Sequence, residues 1–194
     1  MSTIQSDLKL DVDQAGELKA AFRREGPWTN EDIKRLSDKK GLLTDVLSVI
    51  HGLSEIKPIE HAIDCDAQPM IPDGLTIEKH EKGGVFHLTP TSIGLYLSKR
   101  QKNGKVISGN DLRKELEAEP VLNACVLDYL LAHQNLIPES WKEKAVFFWG
   151  TVYRNAGGSL YVRYLCWGGG RWFWACGWLD DDWDGDYPAA VLSK

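Results

Sequence analysis

The chain is poor in cysteine, and the few it has form no pattern. Cys65, Cys125, Cys166 and Cys176 are widely spaced and contain no C-x-x-C pair. That argues against a zinc or disulfide framework and fits reduced thiols in a cytosolic setting. A Cys166–Cys176 cross-strand bridge stays open, provided the two face each other in an oxidising medium. Neither His61 with Cys65 nor His80 with His87 has metal-ligand spacing. No apolar run is long enough to cross a bilayer. The opening residues Met1–Asp7 lack the basic and apolar regions of a signal peptide. Cytoplasmic residence, or attachment to a cell or virion surface through a partner, therefore both remain open.

Positive charge is also in deficit. Lys and Arg number 23 against 28 Asp and Glu, a formal charge of −5, which excludes a general nucleic-acid binder. One basic stretch, Lys99, Arg100, Lys102, Lys105, Arg113 and Lys114, reads as a solvated helix face in preference to a phosphate site. There is no internal repeat, Ser/His/Asp constellation, phosphate loop or paired-carboxylate motif. The expectation is a protein with no catalytic residue, no metal and no cofactor. In other respects, 194 residues with 43% hydrophobic and 26% charged content suit a soluble globular domain with an extension.

Patterning divides the chain near Pro58. Before it, Gln14 to Phe22 suits a short helix, and Thr29 or Asn30 caps an amphipathic one. Its stripe is Ile33, Leu36, Leu43, Val46, Leu47 and Ile50, interrupted at Gly41, and it needs an apolar partner. Residues 1–57 are thus an N-terminal helical extension. After it, Ile59–Ile63, Thr76–His80 and Val85–Leu88 alternate as strands. Ile93–Leu97 reads as a helix, Asn110 caps another through Leu112 and Leu116, and Leu122–Leu131 forms a third. From Val146 the period becomes two: Val146–Arg154, Leu160–Trp167 and Arg171–Leu179 form strands joined by Gly-rich turns. The class is α+β, with helices packed on small antiparallel sheets across 58–194.

What the sequence has in excess is tryptophan near its end. Trp167, Trp172, Trp174, Trp178 and Trp183 recur within a short span, with Gly, Ala, Cys, Asp, Phe and Tyr between them. No Lys, Glu, Gln or Met occurs from Tyr164 to Leu192. Such a scatter of sizes and polarities beside so many indoles suits a surface of free chemistry on a rigid aromatic frame.

The run Val146–Arg154, then Leu160–Leu165, then the Trp-rich tail to Pro188-Ala189-Ala190-Val191 resembles the variable proteins of diversity-generating retroelements, of archaeal or small-genome bacterial or viral type. Leu97–Gly104 and Gly109–Leu116 are similar to that group as well, so the resemblance covers about 58–194. It implies a C-type lectin fold whose C-terminal surface, about 164–190, is rewritten by adenine-directed miscopying of a template RNA. Trp codons contain no adenine and stay constant. The resemblance assigns the framework to Trp149, Trp167, Trp172, Trp174 and Trp178. It assigns a variable ligand-binding surface to Cys166, Gly168, Gly169, Gly170, Phe173, Ala175, Cys176, Gly177, Asp181, Asp184, Gly185, Asp186 and Tyr187. All of these residue types are reachable from an adenine-rich codon. The implied function is non-enzymatic binding of an unidentified macromolecular ligand, protein or glycan, of unspecified stoichiometry.

Two other readings stand beside it. Exposed Trp172, Trp174 and Trp178 would make a carbohydrate-stacking platform of fixed specificity. Asp180, Asp182, Asp184 and Gly185 open like a calcium loop, although Val191 occupies the twelfth position where a bidentate Glu is needed. Cys166 and Cys176 also invite comparison with formylglycine-generating enzymes, whose fold is related.

Overall fold

A computed structural model describes residues 11–57 and 59–193. The expectation about Met1–Asp7 lies outside the described residues. The chain divides into two compact units, Met1–Pro58 and Ile59–Lys194.

The first unit holds α1 (Val12–Arg24), α2 (Asn30–Asp38) and α3 (Leu42–Ile50). Asp11 caps α1 and Thr29 caps α2, each through a reciprocal capping box that satisfies two otherwise orphaned N–H groups. The stripe expected as one interrupted helix is two helices, because Gly41 adopts φ +88° and turns the chain there. None of the three helices buries a residue. Ile33, Val46, Leu47 and Ile50 remain exposed.

The second unit is mixed α+β. A six-stranded sheet runs β4 (Ile93–Tyr96), β10 (Ala189–Leu192), β6 (Val146–Asn155), β7 (Leu160–Gly168) and β8 (Arg171–Trp178). Its sixth strand, β2 (Leu75–His80), pairs the far half of β6. Two short pairs complete it, β1 (His61–Asp64) with β3 (Val85–Leu88) and β5 (Ile107–Ser108) with β9 (Asp182–Trp183). The helices are α4 (Gly109–Leu116) and α5 (Ala124–Ala132).

Each face of the sheet carries its own core. On one, Val126, Leu127 and Leu130 of α5 meet Val146, Phe148, Leu165 and Trp172. On the other, Leu112 and Leu116 of α4 meet Phe147, Trp149, Val162, Leu179 and Trp183. Burial on both faces explains why β6 reads as a near-continuous apolar run, Val146 through Tyr153 being wholly buried.

Two local expectations are corrected. Ile93–Leu97, expected to be helical, contributes strand β4, because Ile93–Tyr96 pair antiparallel with β10. A short apolar run has no decisive period of its own, and the neighbouring strand determines its conformation. The cap of α4 is Ser108, whose hydroxyl accepts from Asp111 N–H, and not Asn110. Asn110 instead donates through Nδ2 to Asp180 at 2.6 Å, tying α4 to the C-terminal loop.

Candidate functional site

The expected display residues lie along the β7–β8 hairpin and the loop after it. The register sets Gly168 opposite Arg171, Cys166 opposite Phe173, Tyr164 opposite Ala175 and Val162 opposite Gly177. Alternation therefore puts Cys166, Gly168, Phe173, Ala175 and Gly177 on one face. Cys176, opposite Arg163, lies on the other. All four cysteines are free thiols. Because Cys166 and Cys176 project to opposite faces, a bridge between them is excluded geometrically.

Asp181, Asp184, Gly185, Asp186 and Tyr187 follow in the loop. Gln101 anchors that loop: its Nε2 donates to the carbonyls of Asp184 at 2.9 Å and Tyr187 at 3.1 Å. Gln101 is fully buried inside the basic stretch, so that stretch is not a simple solvated face. Two of its charges are spent locally. Arg100 and Lys114 both reach Asp111, at 3.3 and 3.1 Å, and hold its carboxyl below the usual range.

Gly177, Asp181 and Tyr187 converge with Phe147, Tyr164 and Trp183 around an open cleft of about 360 Å³. Cys176 and Trp178 lie on its rim. Phe147 is the floor, 4.0 Å from the Trp183 ring and 4.6 Å from Tyr164 between centroids. Among the described residues no cluster of three or more His, Cys, Asp or Glu is arranged to hold a metal ion. Within the Asp180–Gly185 segment Trp183 turns inward to 2% exposure.

The expected framework divides. Trp149 and Trp172 are buried, at 3% and 5% exposure. Trp167 is half-buried against Trp172, edge-on at 5.3 Å, with Lys142 Nζ 4.2 Å from its ring centroid. Trp174 and Trp178, in contrast, are 36% and 40% exposed. Their expected burial is a correction: β8 is an edge strand, and of the three indoles on that face only Trp172 joins the core cluster. Trp183 supplies the indole missing from the expected set, packed on Trp149 at 4.9 Å. Its sequence signal was the Leu179-x-x-x-Trp183 pair of apolar positions amid acids.

The turn and the cleft limit free exchange. Gly169 and Gly170 have φ +58° and +80°, the pair of left-handed residues a two-residue hairpin turn needs. A Cβ on Gly177 would stand 2.7 Å from Phe147 Cε1 and 3.0 Å from Trp183. These three glycines have structural roles, which corrects their reading as freely replaceable.

One residue escaped sequence analysis altogether. Arg163 is fully buried beneath the sheet. Its Nη2 lies 2.8 Å from Asp128 Oδ1 as an ion pair outside hydrogen-bond angles, and Nη1 donates to the Met70 carbonyl at 3.3 Å. Among the described residues its Nε has no acceptor. Trp174 roofs the guanidinium at 4.7 Å. Asp128 Oδ2 also accepts from Met70 N–H at 2.8 Å, and Tyr153 Oη donates to the Met70 carbonyl at 3.0 Å. This network pins the turn-rich segment around Met70 to the sheet.

No family model, curated protein or solved structure matches this chain. No helix among the described residues is long and apolar enough to cross a membrane.

Proposed function

We propose that the second unit is a ligand-binding module of the C-type lectin kind, non-enzymatic, whose β7–β8 hairpin and following loop form a diversified display surface. One observation carries the reading. Every candidate display residue is exposed or half-buried, and Trp149, Trp172 and Trp183 between and beneath them are buried. A scaffold secured by two cores tolerates variable loops at little cost. Phe173, 40% exposed, and Tyr187 at the cleft are the aromatic anchors, and Asp181, which also lines the cleft, supplies a polar contact. The concave floor of Phe147, Tyr164 and Gly177 suits an apolar group of a macromolecular ligand. The decisive test is genomic: a near-copy of the 3′ coding sequence beside a reverse transcriptase gene, differing only where the copy has adenine. A gene with no such repeat refutes diversification while leaving ligand binding to be assayed separately.

The exposure of Trp174 and Trp178 favours a second reading, a sugar-stacking module of fixed specificity. A glycan array separates the two. Binding lost on Trp178→Ala and kept on Phe173→Ser supports the sugar module, and the opposite pattern supports the display surface.

A further inference from the structure

Strand β8 ends the sheet, and its free edge is open. Gly169-Gly170 is a two-residue turn, so the pair that closes it, Gly168 and Arg171, exchanges hydrogen bonds. Leu179 N–H donates to the Leu160 carbonyl at 3.0 Å, in the same phase farther along the ladder. Phe173, Ala175 and Gly177 therefore bond to β7. The N–H and C=O groups of Trp172, Trp174, Cys176 and Trp178 face away from it. Among the described residues these outward groups take a single backbone bond, from Asp181 N–H to the Trp178 carbonyl at 3.2 Å.

Natural edges are blunted by lysine, proline, bulges or brevity. β8 has eight residues, no Lys or Pro, and an unbroken register with β7. It presents Phe173 on one face and Trp174 and Trp178 on the other, all exposed. Its charge is polarised end to end: exposed Arg171 opens the strand, and exposed Asp180, Asp181 and Asp182 follow it.

We infer that β8 pairs antiparallel with β8 of a second copy of this chain, making one continuous sheet across a two-fold axis. Antiparallel pairing is the arrangement in which an end-to-end charge polarity complements itself. With the axis at Ala175, Trp174 lies opposite the second copy's Cys176 and Trp172 opposite its Trp178, each pair with outward N–H and C=O groups. Phe173 lies opposite Gly177, a large residue against a small one. Arg171 falls at the end of the pairing where the second copy's acidic turn, Asp180 to Asp182, follows its Trp178, so opposite charges meet at both ends. The inference does not depend on the display reading. If both hold, Phe173 and Ala175 of the two copies form one joined surface.

Sedimentation of the full chain from low micromolar to near-millimolar concentration tests the pairing, read together with amide exchange. The expected result is a dimer, with exchange at Trp172, Trp174, Cys176 and Trp178 slowing as concentration rises. Exchange at Phe173, Ala175 and Gly177 should be insensitive to concentration. Arg171→Asp, at an exposed strand end, is expected to weaken the dimer about tenfold, with Asp181→Arg in the same chain restoring it. Ala175→Lys sets like charges against each other at the axis and is expected to weaken it comparably, with circular dichroism reporting that each variant folds. A monomer at every concentration overturns the inference. So does a dimer insensitive to both substitutions, or one whose β8 amides do not change.

Discussion

The Trp174 ring lies 4.7 Å from the guanidinium carbon of Arg163, so a partly exposed indole roofs a fully buried charge. An isolated buried cation is costly, and Arg163 is compensated by Asp128, the Met70 carbonyl and this ring. Trp174 therefore acts through one contact, whereas Trp172 acts through burial.

That difference predicts unequal costs. Trp172→Ala should destabilise the unit by about 3–5 kcal/mol, the range for emptying a large aromatic site in a core. Trp174→Ala should cost only about 1 kcal/mol, most of it the lost cation–π contact. Urea unfolding of the two variants checks this, and equal losses would contradict the assigned roles.

Asp128→Asn should cost more than its partly open position suggests. It leaves Arg163 buried without a counter-charge, which is worth about 3 kcal/mol. The double variant Asp128→Asn with Arg163→Met should recover part of that loss, because no charge then needs a partner. A double-mutant cycle by chemical denaturation measures the coupling.

Exchange within the display surface should be graded. Phe173→Ser and Asp186→Asn should change the melting temperature little, since neither side chain fills a core. Gly177→Ser must displace Phe147 or Trp183 and should cost about 1–3 kcal/mol. Gly169→Val sets a β-branched residue at φ +58° and should cost about 1–2 kcal/mol, with Gly169→Asn milder. Thermal melts of the set reveal the order.

Alkaline pH should unfold the protein earlier than its surface charge suggests. Burial pushes the Cys125 thiol from 9.0 up to about 11, with nearby Cys65 and Asp128 adding to it. Burial likewise raises Tyr153 from 10.0 to about 12, partly opposed by Arg163. The folded state prefers both groups neutral. Their contribution is complete below the unfolded values near 9 and 10 and fades as pH climbs through 11 and 12. Denaturation midpoints across pH 8 to 12 should fall steadily above 9, and Cys125→Ala should make the early part of that fall shallower.

Strands β6, β7 and β8, both Gly-rich turns and α5 were legible in advance because each follows a local rule: a period of two, glycines at a turn, a run of leucines. The β4 strand was not, since Ile93–Tyr96 takes its conformation from β10, nearly a hundred residues later in the chain. Arg163 was invisible for a similar reason. It sits in a strand that alternates Tyr161, Arg163, Leu165, and nothing nearby shows that its face meets α5 and not water.

The division among the tryptophans has the same origin. Composition determined that the C-terminal segment would set many indoles among small and polar residues, and strand alternation determined which of them share a face. Only tertiary packing decided which indoles are covered. The core that holds α5 takes in Trp172 and leaves out Trp174 and Trp178 on the edge strand, and the β5–β9 pair brings Trp183 into the opposite core. Burial depends on where distant segments end, and a local pattern carries no record of that.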